Sequence, residues 1–126
     1  MKEQLPLLIV LLVCHYLADF CFTWPGLIRA KADGRAPWPI LLHAGIHAAL
    51  SVVCLSLWSV GWKLLLMLAV LELVTHFLID WGKGYVSVRY PGLSDRNQKP
   101  YWMLHGVDQL LHLLVVVFIW HSCVTF

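Results

Sequence analysis

The stretch KPYWMLHGVDQLLHLLVVVFIW, residues 99–120, opens like a polar loop and closes as an apolar run, yet it carries His105, Asp108 and His112 inside that run. An apolar segment of roughly 20 residues is the length of helix that crosses the hydrocarbon of a bilayer. An aspartate flanked by histidines is costly there unless other parts of the protein hold it. The segment therefore reads as a membrane helix with one polar face turned inward, and it calls for partner helices with matching faces.

The rest of the chain supplies them. It has 126 residues, 60% hydrophobic and 13% charged, with a mean hydropathy of +0.76, too apolar for an ordinary soluble domain of this length. Tryptophan concentrates at membrane-water interfaces, and the seven here stand at positions 24, 38, 58, 62, 81, 102 and 120, marking span ends. The expectation is an all-α, single transmembrane domain over residues 1–126, an up-down-up-down four-helix bundle with helices at about 4–24, 38–58, 62–81 and 102–121. The N-terminal apolar segment reads as a span rather than a cleaved leader, since a leader would need His15 inside its apolar region and its removal would take away one polar face. DGRAPWP (33–39) breaks the chain between the first two spans, SVGW (59–62) is a tight hairpin, and GKGYVSVRYPGLSDRNQKPY (82–101) is the one long polar connection.

Basic residues orient the bundle. Arg29, Lys31, Arg35, Lys83, Arg89, Arg96 and Lys99 fall on one side, against Lys2 and Lys63 on the other. By the positive-inside rule the protein is expected in the inner (cytoplasmic) membrane, multi-pass, with loops 25–37 and 82–101 cytoplasmic and both termini outside. The net charge of +2 comes without a dense basic run, so no nucleic-acid partner is expected; the anionic inner leaflet is the natural electrostatic neighbour. Cys14, Cys21, Cys54 and Cys123 show no CxxC spacing and read as free thiols.

Each span carries one pair at i, i+4: His15 and Asp19, His43 and His47, His76 and Asp80, Asp108 and His112. Random placement of these residue types gives about one such pair in the whole chain. The spacing stacks both side chains on one helix face. Successive spans run in opposite directions, and the pairs lie late in the first and third but early in the second and fourth. All eight residues are thus expected in one layer, roughly 3 to 16 Å inside the cytoplasmic tryptophan belt.

Eight nitrogen and oxygen donors suit one or two divalent transition-metal ions, zinc first, with iron or manganese as the alternatives. Taken singly, each pair fits plain interhelical hydrogen bonding as well; five histidines and three aspartates together make an expensive form of such glue. Glu72, one turn from His76 on the same face, is a candidate to orient a ligand or carry a proton. His105, near the interface, is a candidate to act on substrate, and Gln109 adjoins the Asp108 pair; no role falls to His121.

The motifs HxxxDF (His15, Asp19, Phe20), HxxxH (His43, His47), HFLIDxxK (His76, Asp80, Lys83) and DQxxH (Asp108, Gln109, His112) resemble the small bacterial and phage integral-membrane family known as domain of unknown function 3307. The resemblance covers nearly the whole chain. A glutamine often stands three residues after the motif phenylalanine in that family, and Thr23 stands there here. The resemblance implies the architecture and the motif positions but no reaction. The HxxxD and HxxxH steps alone are also similar to those of membrane-bound metal-dependent hydrolases.

The function expected from the residues is metal-dependent hydrolysis of a lipid or phosphoester at the cytoplasmic interface. The alternatives are divalent-metal or proton transport or sensing, bis-histidine haem binding, which leaves three aspartates unexplained, and a structural, metal-stabilised subunit of a homo-oligomer or larger membrane assembly. No G-x-S-x-G elbow or glycine-rich phosphate loop competes with metal chemistry.

Overall fold

The computed structural model describes residues 4–125, all-α and without strands among those residues; Lys2, used above for orientation, lies outside them. The elements in order are α1 (Gln4–Tyr16) with a π-helical turn (Leu17–Cys21), α2 (Pro25–Asp33), α3 (Pro37–Leu57), α4 (Trp62–Arg89), a short 3-10 turn (Pro91–Leu93) and α5 (Lys99–Thr125). Four helices are long and apolar enough to cross a membrane: Gln4–Cys21, Pro37–Leu57, Trp62–Arg89 and Lys99–Thr125. Around the bundle α1 touches α3 and α5, and α4 touches α3 and α5. The outward faces carry exposed Leu57, Leu66, Met67, Leu78, Leu114 and Phe118, an apolar surface that suits lipid better than water.

Inside, the two ends of the bundle differ. At the end holding the α1 and α5 termini, Leu7, Leu11, Cys54, Leu55, Leu68, Val116 and Ile119 form a buried apolar core. Trp120 Nε1 donates to the Gln4 carbonyl at 2.7 Å and ties α1 to α5 there. Toward the other end the buried residues include His15, Asp19, His43, His47, His76, Asp80, Asp108 and His112.

Expected boundaries move in three of the four spans, the fourth running Lys99–Thr125 rather than 102–121. The first span ends at Cys21 rather than Trp24, because Trp24 instead caps α2, whose first residue, Pro25, favours a helix start. The connection expected as a loop over 25–37 therefore contains a helix. The third span continues to Arg89 rather than stopping at Trp81, so the connection expected at 82–101 is helical over its first eight residues. That polar run keeps helical period: Asp80, Gly84 and Ser87 are all buried on one face, and no proline interrupts it before Pro91.

α2 is held against this extension by glycines. Gly34, at φ 63°, ends α2 in the left-handed cap conformation, its N–H donating to Ala30 O at 2.8 Å. A Cβ on Gly84 would meet Gly34 N at 2.7 Å and Lys31 O at 3.0 Å, so the two backbones approach as only glycine permits. Trp81 Nε1 donates to Gly34 O at 3.1 Å. The result fixes where Lys31 points.

Candidate metal centre

All eight expected ligands are buried, and the structure brings six of them into two groups. Asp19, His43, His47 and His76 each offer one donor atom, all within 4.8 Å of one another; His76, Asp80 and His112 do the same. His76 is the hub, with ring centroids 3.7 Å from His47, 4.2 Å from His112 and 5.1 Å from His43. Asp19 enters through the π-helical turn, in which Phe22 N–H reaches back five residues to Leu17 O at 3.0 Å. Such widened turns recur at functional sites because they re-aim a side chain. Here Asp19 Oδ1 lies 3.0 Å from His43 Nε2, 3.7 Å from His47 Nε2 and 3.9 Å from His76 Nε2.

The donors are poised but largely unpartnered. His47 Nε2, His76 Nε2, His112 Nε2 and Asp80 Oδ1 are buried without a hydrogen bond, which is rare and costly for polar atoms, and Asp80 Oδ2 is met by the Lys31 ammonium at 3.0 Å as an ion pair. His112 Nδ1 lies 2.8 Å from its own helix's Asp108 carbonyl. A proton on Nδ1 donates to that oxygen and leaves the Nε2 lone pair facing Asp80 Oδ1, 3.9 Å away, the outer-partner arrangement typical of ligand histidines. These imidazole and carboxylate atoms converge closely enough to hold a metal ion, with the Lys31 ammonium, 3.0 Å from Asp19 Oδ1 and from Asp80 Oδ2, as the competing cation.

His15 and Asp108 fall outside both groups. Both His15 ring nitrogens are buried and unpartnered, but its contact with a carboxylate is to Asp19 Oδ2 at 3.8 Å. Asp108 instead meets Lys83 Nζ at 3.0 Å through Oδ2, and Gln109 Nε2 donates to both Asp108 Oδ2 at 3.2 Å and Asp19 Oδ2 at 3.1 Å. Gln109 thus orients two carboxylates. Glu72 is buried with Oε2 unpartnered and borders, with His15, Thr75, His76 and His112, a gap too small to admit water. His105 is half-buried at the rim, its Nδ1 3.0 Å from Lys83 Nζ.

Two lysines that the sequence reading gave to the cytoplasmic surface turn inward instead. Lys31 Nζ lies 3.0 Å from Asp19 Oδ1, 3.0 Å from Asp80 Oδ2 and 3.4 Å from His43 Nε2. Burial opposes its charge, but the Asp80 and Asp19 carboxylates outweigh burial and hold its pKa above the ordinary lysine value. The missed signal was helical period within α2, where Lys31 follows the buried Leu27 and Ala30 at four residues and one. Lys83, three residues after Asp80, lies within reach of the same face. Beyond the two ammonium groups a cleft of about 190 Å³ opens, lined in part by Lys31, Lys83, Ser87, Ser94, Arg96 and Tyr101.

Fold and site together define a helical bundle, with four helices long enough to cross a membrane, built around a buried histidine-aspartate cluster able to hold a metal ion. The sequence profile described as Protein of unknown function (DUF3307) matches residues 7–126, and the chain belongs to that family. Comparisons with curated proteins and with solved structures return no match.

Proposed function

We propose that the protein is a membrane-embedded metal-dependent hydrolase acting on a lipid or phosphoester at the cytoplasmic interface. Its four spans alternate up and down in the inner membrane, with the cleft end cytoplasmic and both termini outside. The observation that carries the reading is the Asp19, His43, His47 and His76 group, four donors within 4.8 Å, lying directly beneath a basic cleft. With Lys31 and Lys83 turned inward, Arg29, Arg35, Arg89, Arg96 and Lys99 remain on the cleft side, enough to keep the positive-inside sense.

One ion fits better than two. His76 belongs to both donor groups, and a neutral imidazole has a single lone pair. Lys31 already places a positive charge between Asp19 and Asp80, where a second cation would otherwise balance them. Zinc suits three imidazoles and one carboxylate, with iron or manganese as alternatives. An ion held by Asp19, His43, His47 and His76 would supply a water activated near neutral pH and a Lewis acid for an ester oxygen. The chain's own groups do the rest: Gln109 keeps Asp19 oriented, Glu72 and His15 are the unpartnered groups able to hold a proton, and His105 and Lys83 face the incoming substrate.

Transport is the weaker reading, because the route past Glu72 runs into the packed core of Leu7, Leu11, Cys54, Leu55, Leu68, Val116 and Ile119, which holds no charged side chain. The test is metal analysis of the purified full chain in nanodiscs, followed by release of phosphate or fatty acid from phosphatidic acid. The expected result is one ion per chain and turnover that is lost in His76→Ala and on chelation and returns with zinc. A protein that binds no ion after loading, or a His76→Ala variant with unchanged turnover, would falsify the proposal. A bound ion with no turnover on any ester would leave a structural metal clamp.

A further inference from the structure

The cleft above the cluster has a chemistry of its own. Lys31, Lys83 and Arg96 meet there with Ser87, Ser94 and Tyr101, and no carboxylate lines it. Arg96 has no ion-pair partner among the described residues, and its segment is fixed by Trp102 Nε1 donating to Arg96 O at 2.9 Å. Ser94 Oγ donates to Ser87 O at 2.8 Å and closes the rim against α4. Tyr101 stacks on His105, with ring centroids 6.2 Å apart and planes 14° from parallel.

We propose that this cleft is a binding site for a phosphoryl dianion, so that the substrate class is a phosphomonoester. The inference deepens the hydrolase reading and rests on it for the chemistry, but not for the binding. Arg96 has no ion pair of its own among the described residues, Lys83 keeps an N–H beyond those facing Asp108 and His105, and the Ser87 and Tyr101 hydroxyls line the cleft with no carboxylate among them, a donor set that matches a phosphoryl group's several acceptor oxygens. Arg96 offers a planar fork suited to two phosphoryl oxygens. In the reaction, the water oxygen forms a bond to phosphorus as the ester P–O bond breaks, and the departing alcohol takes a proton. Inorganic phosphate, the product, is then a ligand of the same cleft.

Counting donors adds a coupling. An ammonium has three N–H donors, and the Lys31 ammonium faces inward, with Asp19 Oδ1 and Asp80 Oδ2 each 3.0 Å away and His43 Nε2 at 3.4 Å. Lys83 spends two on Asp108 and His105 and keeps one. A metal ion ligated by Asp19 and His43 takes over those partners and frees Lys31 donors for the cleft. Metal and phosphoryl group thus strengthen each other's binding through Lys31.

The experiment is calorimetric titration of the full chain in phosphatidylcholine nanodiscs, metal-free or loaded with zinc and stripped of excess. Inorganic phosphate and glycerol 3-phosphate are the soluble probes, and discs containing phosphatidic acid supply the bilayer source. Binding of the soluble probes assigns the cleft to free phosphoesters. Competition from phosphatidic acid in the discs assigns it to a lipid headgroup. The expected result is about tenfold or greater weakening in Arg96→Ala with zinc content unchanged, and a zinc-dependent gain of at least about fivefold that shrinks in Lys31→Met. No binding of any probe to the wild type, or equal binding by Arg96→Ala, overturns the site even if zinc is bound. Phosphate binding that depends on Arg96 in a protein that takes up no metal upholds the cleft while the metal reading falls. A zinc-dependent gain as large in Lys31→Met as in the wild type removes the coupling.

Discussion

Lys31 and His76 set the energetics of the site at the scale of single residues. Lys31 alone balances two buried carboxylates, Asp19 and Asp80, each 3.0 Å from its ammonium. Replacing it by Met keeps the stem and removes the charge. Breaking a buried ion pair from one side costs about 3–5 kcal/mol, and the 19% exposure of the Lys31 side chain places the metal-free protein near the lower end, about 3 kcal/mol less stable. Thermal unfolding in detergent measures this, and zinc is expected to raise the Tm more in Lys31→Met than in wild type because the ion replaces the missing charge. An equal rise in both proteins would mean that the ion does not bind these carboxylates. His76 and His15 separate ligand from neighbour. His76→Ala is expected to weaken zinc binding by more than the roughly 10- to 100-fold that loss of an outer partner costs, and His15→Ala to stay within that range. Equilibrium dialysis with metal analysis distinguishes them, and reversed ranks would place His15 among the ligands.

Elements decide which side chains reach the centre, and here α2 matters most. A methyl group at Gly84 would clash with backbone at Gly34 N and Lys31 O, 2.7 and 3.0 Å away, which no rotamer change relieves. Gly84→Ala is therefore expected to push α2 from α4, withdraw Lys31 and cost about 1–3 kcal/mol, with faster trypsin cleavage after Lys31 and Arg35. Gly82→Ala, with nothing within 4 Å of the new Cβ, is the control, expected to be neutral or stabilising by up to about 1 kcal/mol. If both variants resist trypsin like the wild type, glycine contact does not hold α2. The same elements show what was legible in the sequence. The paired His and Asp on four apolar segments mark the polar faces, because a period of four repeats on a helix and polar residues are rare in spans. The family was legible from those same motifs. α2 was not, because its nine residues sit among breakers and its charges suggest a surface loop. Nor was the π-helical turn at Leu17–Cys21, since LADFC carries no proline or glycine to announce it. Lys31 was misread for a related reason: a positive-inside count registers that a lysine is present, not which way its helix turns it.

For the whole molecule, the division between a polar end and an apolar end makes access to the centre a matter of sides. Lys31, Lys83 and Arg96 line the cleft at one end, whereas Leu7, Leu11, Leu55, Leu68, Val116 and Ile119 fill the other. A hydrated cation crossing that packed core would lose its water and find beyond Glu72 no charged group, only neutral donors such as the Cys54 and Cys123 thiols, so exchange is expected through the cleft alone. Zinc-loaded protein in sealed liposomes provides the measurement, with an impermeant chelator added outside. Molecules whose cleft faces outward are counted by an impermeant maleimide on Asn97→Cys in a background that carries Cys14→Ser, Cys21→Ser and Cys123→Ser, Asn97 being an exposed position beside the cleft and Cys54 buried. The fraction of zinc stripped should equal the fraction labelled, the remainder should leave only after detergent is added, and no zinc should enter the lumen. Stripping of both orientations before detergent, or zinc accumulation inside, would show that the apolar half conducts. The centre would then be a station on an ion path, and hydrolysis would lose its main advantage over transport, the closed inner end of the site.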